Sequence, residues 1–504
     1  MSEILFGQSY YLRFDPKLLE AMQPYPPLGT MYAASYLRQR GYEVALFDAM
    51  LAASEEEWGA ALDSYSPRFV VIYEDNFNYL SKMCLSRMRQ AAFKMIDMAK
   101  ARGCTVIVAG SDPSDQAAMY LGIGADYVLI GEGEYTLAEL IDYLTGRGMG
   151  EPGAIQGLAF RQGEKVTITP RRPDIRDLDA LPFPAWDLVD VDRYRRIWRE
   201  RHGYFSMNMV TTRGCPFHCN WCAKPIWGQR YNARSPHNVA AEMKWLKDTF
   251  APDHLWFADD ILGLKPGWLT LFADEVERSD AKIPFKCLNR TDLLLKPGEI
   301  EALQRAGCRI AWIGAESGSQ RILDAMEKGT WVEQIRDATV RLQQAGIQVG
   351  FFLQFGYPGE TMEDIEKTLQ MVKDCQPDDI GMSVSYPLPG TKFHAAVREQ
   401  LGQKQHWVDS RDLDMMYDGP FATQFYRQLH IVLHKEFRAR KTFSQLTGGA
   451  WPSLRKLLAL PHQLATLPLA RWKLRRLARL PHRGIKLLTP ILEPEAAARP
   501  SPQS

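Results

Sequence analysis

Cysteine is scarce in this chain, and neither a long apolar run nor a large excess of one charge is present. Eight Cys among 504 residues are too few for a disulfide scaffold, so the thiols are available for metal binding, catalysis or packing. The 61 Lys and Arg nearly balance the 60 Asp and Glu. This balance argues against a disordered polyelectrolyte and against a protein that coats nucleic acid by charge alone. No apolar run reaches the length of a membrane span, and no basic leader precedes an apolar core, so we expect a cytoplasmic protein.

Short apolar runs alternate with helix-like stretches over the first 145 residues. The runs lie at residues 43–47, 69–73, 105–108 and 127–130. This alternation predicts βα units in a parallel sheet whose strands are buried on both faces. Each run ends in small or acidic residues, at the sheet edge where ligands of α/β proteins bind. The sequence therefore predicts a Rossmann-like α/β domain over residues 1–145, and a module whose loops bind nothing is the alternative.

The rest of the chain divides into four further segments. Residues 146–200 carry Gly, Pro and a hairpin-like stretch, a composition typical of a linker. A second βα series follows over residues 201–400 and forms a barrel-like set of six strands. Residues 401–440 have a mostly helical pattern, and residues 441–504 form a basic tail. The six predicted strands of the second series are 206–211, 255–258, 285–288, 310–313, 350–355 and 380–386.

Three of the eight Cys form one cluster. Cys215, Cys219 and Cys222 have CxxxCxxC spacing just after a predicted strand. Thiolates are soft ligands that suit iron–sulfur clusters or zinc, and three of them leave a fourth position open. The nearest imidazoles are His218 and His237, and neither has the paired spacing of a zinc finger. The spacing favours a catalytic cluster, with a zinc site and unliganded thiols as the alternatives.

The cysteine loop, with Trp221 just before its last thiol, resembles the cluster loop of radical S-adenosylmethionine (radical SAM) enzymes. In that family a [4Fe–4S] cluster leaves one iron free for the amino and carboxylate groups of S-adenosylmethionine (SAM). The resemblance implies that residues 201–400 form a partial (β/α)6 TIM-type barrel that holds this cluster.

Other segments resemble the same family in the same order along the chain, each near the end of a predicted strand. Taken singly, such residues also suit solvated turns, salt bridges or a first helical turn. Their order carries the resemblance, although the paired aspartates replace the more familiar Gly-Gly-Glu. The implied contacts are Asp259 and Asp260 for the methionyl amino group, Arg290 for the carboxylate, Glu316 and Ser317 for the ribose, and residues 386–391 for the adenine.

The amino-terminal domain resembles the cobalamin-binding domain that precedes many radical SAM domains. The resemblance rests on residues 26–30, 40–44, 108–111 and 124–134. A dinucleotide is a rival ligand, but no G-x-G-x-x-G follows the first strand. A domain that has kept the fold and lost the cofactor is the other alternative. The implied cobalamin contacts are Tyr73, Glu74, Asn76, Gly110, Ser111, Gly131, Glu132 and Gly133.

Histidine placement bears on how cobalamin would bind. All ten His lie after residue 200, so no imidazole of the amino-terminal domain can ligate the cobalt from below. We predict cobalamin without a His ligand from its own domain, with its lower face covered by the loop Tyr73–Tyr79. Weak axial ligation suits methyl transfer, because the reduced cobalt must shed axial ligands to act as a nucleophile.

The end of the chain is basic and amphipathic. Ten Lys or Arg and no Asp or Glu lie between Lys441 and Leu492, interleaved with Leu and with Trp472. Pro461, Pro468 and Pro481 are predicted to break this segment into short pieces. Such a segment suits an anionic membrane surface, packing on the protein itself, or nucleic acid. We favour peripheral contact with the inner face of a membrane and expect no nucleic-acid partner.

These features together predict a cobalamin-dependent radical SAM enzyme. Its cofactors would be a [4Fe–4S] cluster, SAM and cobalamin, and its electron would come from an external donor such as flavodoxin or ferredoxin. The predicted reaction is methylation of an unactivated carbon of a hydrophobic small molecule such as a lipid or tetrapyrrole. A radical SAM oxidative cyclase with the same cofactors is one alternative. A zinc- or cobalamin-binding protein without enzymatic activity is the other.

Overall fold

The computed structural model describes residues 3–78, 86–148, 150–402, 413–447 and 452–480. The chain divides into two compact units. The first unit comprises Met1–Phe217, Ala223–Gly314 and Asp337–Gly350. The second unit comprises His218–Cys222, Ala315–Arg336 and Phe351–Ser504.

The amino-terminal module is an α/β layer with a seven-stranded sheet. Its strands are β1 Ile4–Gly7, β2 Val44–Leu46, β3 Phe69–Tyr73, β4 Thr105–Ala109, β5 Tyr127–Leu129, β6 Leu158–Gln162 and β7 Lys165–Ile168. Its helices are α1 Pro16–Ala21, α2 Leu28–Gln39, α3 Glu56–Tyr65, α4 Ser86–Lys100, α5 Ser111–Asp115, α6 Ala117–Ile123 and α7 Glu134–Leu144.

The strand order of this sheet is β2-β1-β3-β4-β5-β6-β7. The first five strands pair in parallel, whereas β6 and β7 form an antiparallel hairpin that joins the edge at β5. All four strands predicted in this module are confirmed. The hairpin-like stretch predicted within the linker 146–200 is confirmed as β6 and β7, but it belongs to the sheet of the module. β1 and β3 are buried along their whole length, as expected for central strands covered by helices on both faces.

A connecting segment that ends in helix α8 Val191–His202 leads to the second βα series. Its strands are β8 Ser206–Met209, β9 Thr212–Arg213, β10 Asn232–Ala233, β11 His254–Phe257, β12 Phe285–Asn289, β13 Cys308–Glu316, β14 Gln348–Phe355 and β15 Asp379–Val384. Its helices are α9 Pro236–Phe250, α10 Trp268–Arg278, α11 Thr291–Leu294, α12 Glu299–Ala306, α13 Gln320–Ala325, α14 Val332–Gln344, α15 Met362–Cys375 and α16 Lys392–Val397.

Six of these strands form one sheet with the order β15-β14-β13-β12-β11-β8. Each of the six predicted strands of the second series is therefore confirmed. On β8, β11 and β12 alternate residues face opposite sides of the sheet. Phe257 and Phe285 lie on the side that packs on Phe272 of α10. Asn208, Trp256 and Lys286 are paired across the sheet in register and share the other side.

The carboxyl-terminal part of the second unit contains two long helices, α17 Thr423–Thr447 and α18 Leu454–Ala478. The prediction that Pro461 and Pro468 break the basic segment is wrong, because α18 continues through both. Tertiary contacts outweigh the lost backbone hydrogen bonds: the Gln428 amide donates to the Ala470 carbonyl at 3.0 Å, and the Lys435 ammonium donates to Thr466 at 2.8 Å. Pro481 lies outside the described residues, and so does the end of the tail.

Among the described residues, no helix combines the length and the apolar character that crossing a bilayer requires.

Candidate active site

The cysteine loop begins at a backbone turn that only glycine accommodates. Strand β9 pairs with β10 and ends at Arg213, directly before the loop. Gly214 has a φ of 81°, and a Cβ at this position would collide with the carbonyl oxygen of Arg230. Cys215 follows, buried in a small cluster with Ile261 and Leu293. The first thiol is therefore fixed by its backbone and by its packing.

The other end of the loop is held within the second unit by Asn220. The Asn220 side-chain amide donates to the Ala325 carbonyl at 2.7 Å, and its backbone amide donates to the Met326 carbonyl at 3.0 Å. The Tyr357 hydroxyl donates to the Asn220 side-chain oxygen at 3.0 Å. Trp221 packs against an apolar cluster that contains Ile322, Ala325, Met326 and Tyr357. Asn220 was not predicted as a site residue, because nothing in its neighbours along the chain signals these distant partners.

The three thiols form no disulfide, and Cys215 is buried whereas Cys219 and Cys222 are partly exposed. Within the described ranges, no three His, Cys, Asp or Glu side chains are grouped so that they could hold a single metal ion. In a four-iron cluster each thiolate binds its own iron, so the sulfur atoms stand farther apart than the ligands of one ion. The donor set, three soft thiols on one short loop, suits such a cluster.

Asp259 organises the strand end that precedes the cysteine loop. Its buried carboxylate accepts hydrogen bonds from the Thr211 amide at 2.8 Å and hydroxyl at 3.0 Å, and from the Thr212 amide at 2.6 Å and hydroxyl at 2.8 Å. Burial raises the pKa of Asp259 to about 6, against the opposing effect of these hydrogen bonds. Asp260, in contrast, is exposed. The two members of the predicted SAM pair therefore have different surroundings.

Arg290, the predicted carboxylate contact, lies beside the cysteine loop. The Arg290 guanidinium lies 3.8 Å from the centre of the Phe217 ring, a residue of that loop, and forms an ion pair of 2.7 Å with Asp292. Both the ring and the carboxylate orient the planar guanidinium. The structure thus brings Arg290 and the beginning of the cysteine loop together within the first unit.

Glu316 and Ser317, the predicted ribose contacts, lie in the second unit. Glu316 is buried, has a φ of 54°, and forms an ion pair of 2.8 Å with Lys328, which the sequence analysis did not identify. A non-glycine residue in the left-handed region is uncommon and is often found at functional sites. The Ser317 hydroxyl lies 3.2 Å from the Thr368 hydroxyl and accepts from the Ser319 amide at 3.1 Å.

The predicted cobalamin residues meet in two groups at the carboxyl ends of β3, β4 and β5. The Gly133 amide donates to the Tyr73 hydroxyl at 3.2 Å, and a Cβ at Gly133 would lie 2.7 Å from the Tyr73 ring. Gly110 has a φ of 147° and lies against the Glu74 side chain. Ser111 is buried at the start of α5, and Gly131 has a φ of 84°. The structure therefore places these residues at one edge of the sheet.

Two buried acidic residues of this group have protein partners. The Ser9 amide donates to the Glu74 carboxylate at 3.2 Å, and burial raises the pKa of Glu74 to about 7. Glu132 accepts from Arg213 at 3.0 Å and from the Trp227 indole at 2.7 Å. Arg213 also pairs with Glu134 at 2.6 Å. Arg213 was not predicted as a site residue, although it stands two residues before Cys215.

A pocket of about 350 Å³ lies entirely within the first unit, and we call it the sheet-end pocket. It is lined by residues that follow β1, β3 and α1 in the amino-terminal module and by residues of β8, β11 and β12 with the turn after β11. The Tyr10 hydroxyl and the Asn208 side-chain oxygen, both of which line it, are buried without a hydrogen-bond partner among the described residues. So is the side-chain oxygen of Asn76, in the loop after β3. Such atoms cost free energy unless a ligand or water satisfies them.

Comparison with known proteins gives two family matches. The family model of the Radical SAM superfamily matches residues 209–372, and the model of the B12 binding domain matches residues 18–141.

Two relatives and one solved structure illustrate the similarity. The chain is 27% identical over 398 residues to an uncharacterized methyltransferase of Pyrococcus horikoshii, covering 77% of this chain and 82% of that protein. It is 27% identical over 292 residues to the anaerobic magnesium-protoporphyrin IX monomethyl ester cyclase of Rubrivivax gelatinosus, covering 56% of this chain and 50% of the cyclase. The fold is similar to that of the cobalamin-dependent S-adenosylmethionine radical enzyme OxsB with aqua-cobalamin and S-adenosylmethionine bound. The TM-score is 0.71 and the identity 16%, over 94% of this chain and 72% of OxsB.

Proposed function

Because the chain belongs to the radical SAM superfamily and carries a B12 binding domain, we propose that it is a cobalamin-dependent methyltransferase. Its substrate would be a hydrophobic small molecule with an unactivated carbon. The observation that carries the proposal is the sheet-end pocket, which side chains from the module and from the barrel strands line together. A methyl donor held by the module and an acceptor held by the barrel strands would lie within reach there, as direct transfer requires.

We propose that Cys215, Cys219 and Cys222 bind three irons of a [4Fe–4S] cluster and leave the fourth iron for SAM. When bound, the cluster and SAM supply the radical that removes hydrogen from the substrate, and methylcobalamin supplies the methyl group. The electron would come from an external donor such as a flavodoxin or ferredoxin. Arg290, oriented by Phe217 and Asp292, would donate to the SAM carboxylate.

The remaining predicted residues have distinct proposed roles. Asp260 is the exposed member of its pair and would contact the SAM amino group, whereas Asp259 would position the strand end before the cluster loop. Glu316 and Ser317 keep their predicted role as ribose contacts. In the module, Asn76 has an unsatisfied acceptor that a cobalamin amide could satisfy. The other predicted cobalamin residues would shape the edge against which the ring system lies.

Anaerobic reconstitution tests the cluster and the reaction together. Protein loaded with iron, sulfide and cobalamin is incubated with SAM labelled in its methyl group and with candidate lipids and tetrapyrroles. We expect brown protein and a product that carries the labelled methyl group. Cys219→Ala should lose the broad visible absorption of the cluster, whereas Cys375→Ala, a buried thiol on α15, should keep it. Colourless protein with stoichiometric zinc would refute the proposal.

A cyclase is the second candidate, and the similarity to the Rubrivivax gelatinosus cyclase favours it. The chain spans only half the length of that relative, so the shared part does not include the whole cyclase. The same incubation separates the two functions. A product that has lost hydrogen and carries no labelled methyl group would identify a cyclase.

We also propose that α18 binds the surface of an anionic membrane from the cytoplasmic side. Leu458 and Trp472 are 71% and 57% exposed, and the exposed Arg455, Lys456 and Lys473 lie on the same helix. No acidic residue lies anywhere between residues 441 and 480 to offset this charge. Apolar side chains that interleave with Lys and Arg suit the headgroup region of a bilayer.

Co-sedimentation of the full chain with vesicles tests this surface. We expect the protein to sediment with vesicles that contain phosphatidylglycerol and to stay in solution with pure phosphatidylcholine. The double variant Leu458→Gln, Trp472→Gln should lose most of this binding. Leu271→Gln, a matched exposed leucine on α10, should bind like the unchanged protein. Equal sedimentation of both variants would contradict membrane binding through α18.

A further inference from the structure

Lys286 is a cation in an unusual place, the middle of barrel strand β12. It lies between Trp256 of β11 and Ile310 of β13 in the sheet register, and its side chain is largely buried. Within the described ranges, no carboxylate lies within ion-pair distance of its ammonium group. A largely buried lysine is normally paired, because an uncompensated charge is costly to remove from water.

Lys286 shares a face of the sheet with Asn208 and Trp256, which line the sheet-end pocket, although Lys286 is not itself among the lining residues. Its nitrogen is 4.5 Å from the centre of the Trp256 ring and 5.5 Å from the centre of the Tyr25 ring, and both rings line the pocket. Leu288, two residues along the same strand and on the same face, lines the pocket as well. The aromatic faces attract the cation but carry no charge that would neutralise it.

Uncharged polar groups lie next to Lys286, and the carboxyl groups that line the pocket, those of Asp75, Asp259 and Asp260, form no ion pair with it among the described residues. The Tyr25 hydroxyl, the Ser206 hydroxyl and the His254 ring are linked by hydrogen bonds of 3.0 and 2.9 Å. Burial, together with the nearby Lys286 charge, lowers the pKa of His254 to about 3, so this imidazole is uncharged at neutral pH. Burial lowers the pKa of Lys286 itself to about 8, which keeps the ammonium form in the majority at pH 7.

We propose that Lys286 binds an anionic group, a carboxylate or a phosphate, of the molecule that occupies the sheet-end pocket. The substrate would then be an amphiphilic acid, whose apolar body lies against Trp256, Tyr25 and Leu288 and whose anion pairs with the ammonium. The identification of this ligand as the substrate rests on the proposed methyltransferase function. The unpartnered Tyr10 hydroxyl and Asn208 oxygen offer further polar contacts to the same molecule.

Binding of simple probes to the full chain tests this inference without cofactors or turnover. Decanoate and decyl phosphate are compared with decanol, which has the same alkyl chain and no charge, by titration calorimetry at pH 7. We expect at least one anionic probe to bind with a Kd roughly ten-fold lower than that of decanol, since the anion gains a charged partner. The stronger of the two anionic probes identifies which anion the pocket takes.

Lys286→Met and Lys286→Gln should remove the preference for the anion and leave decanol binding unchanged. Lys282→Met, which alters an exposed lysine just before the same strand, should keep the preference. Equal affinity of all three probes, absence of binding, or a preference that survives both Lys286 substitutions would overturn the inference. If the anion preference holds but no labelled methyl group is transferred to any substrate, the methyltransferase proposal fails and the Lys286 site stands.

Discussion

Asn220 illustrates how an uncharged side chain can position metal-binding thiols. It stands directly after Cys219 and makes hydrogen bonds to Ala325, Met326 and Tyr357 of the same unit. Each neutral hydrogen bond contributes only about 1 kcal/mol, but three of them restrict the backbone between two cysteines. Pre-organisation of this kind lowers the cost of arranging ligands around a cluster.

We therefore expect Asn220→Ala to reduce the iron bound after anaerobic reconstitution by several-fold, while the protein remains folded. Iron and sulfide are assayed per protein chain, and circular dichroism reports the fold. His218→Ala is the control, because His218 is an exposed residue of the same loop. Iron content in Asn220→Ala equal to that of the control would contradict a positioning role.

His254 gives a pH prediction at the same scale. Its pKa is lowered from an ordinary 6.5 to about 3 by burial first and by Lys286 second. Between these values the unfolded chain binds a proton that the folded chain does not. The contribution of the uncharged His254 to the stability of the fold is therefore retained above pH 6.5 and lost progressively as the pH falls towards 3.

The His254→Gln variant should lack this part of the acid sensitivity. Between pH 7 and pH 5 the free energy of unfolding should decrease in both proteins, and the decrease should be smaller in His254→Gln by up to about 2 kcal/mol. Urea unfolding at the two pH values measures the difference. His237→Gln is the control, since the His237 side chain is exposed. A His254→Gln variant with the same pH dependence as this control would refute the assignment.

At the scale of elements, the predicted strands follow local sequence closely in position. Residues 69–73 are rich in aromatic and β-branched side chains, and β3 has these bounds. β13 extends from Cys308 to Glu316, beyond the predicted residues 310–313, because pairing with neighbouring strands continues past the apolar run. β1 was not predicted, since a run of four residues at the beginning of the chain has no repeat before it to establish the pattern.

Helix α18 shows the opposite case, in which tertiary contacts override a local signal. Pro461 and Pro468 are both exposed, so each removes a backbone hydrogen bond on the solvent side of the helix. We expect Pro461→Ala and Pro468→Ala each to stabilise the pair of helices α17 and α18, by up to about 3 kcal/mol. Thermal unfolding followed by circular dichroism measures this gain.

Ala465→Pro provides the converse control, because Ala465 is an exposed position of the same helix. It should lower the midpoint of the helical transition. If alanine at 461 and 468 lowers the midpoint as well, the two prolines contribute packing that outweighs their backbone cost.

At the scale of the whole molecule, Arg213 joins the module to the barrel within the first unit. Its guanidinium lies between Glu132 and Glu134 of the module and belongs to β9, directly before the cysteine loop. All three side chains are almost completely buried. Removal of the cation would leave two buried carboxylates without their charge partner, which is among the most costly changes a fold can undergo.

Arg213→Met should therefore destabilise the protein by about 3–5 kcal/mol. Arg213→Lys should destabilise it less, because lysine keeps the positive charge but lacks the planar guanidinium that binds both carboxylates. Chemical unfolding of the full chain measures both. Arg68→Met is the control, since the Arg68–Glu3 pair is exposed and should contribute less than about 1 kcal/mol. A loss in Arg213→Met as small as in the control would show that the buried pair does not support the junction.

Much of the candidate site could be read from the sequence. The three thiols lie within eight residues, and Arg290 follows a strand, so local spacing was sufficient for both. The partners that hold them were not accessible in this way. Asn220 and Ala325 are 105 residues apart, and Arg213 and Glu134 are 79 residues apart, and no period of a helix or strand relates such positions.

The order of the elements, the cysteine loop and the absence of histidine from the module follow from the amino-acid sequence alone, because each depends on residues that are neighbours along the chain. Tertiary structure alone decided which buried charges are paired and which are not. The carboxylates of Glu132 and Asp259 accept hydrogen bonds from protein donors, whereas among the described residues the Lys286 ammonium has no carboxylate partner and lies against aromatic faces beside the sheet-end pocket. The physical reason is that the cost of burying a charge depends on what the fold brings within a few ångströms of it, and that distance is set in space and not along the chain.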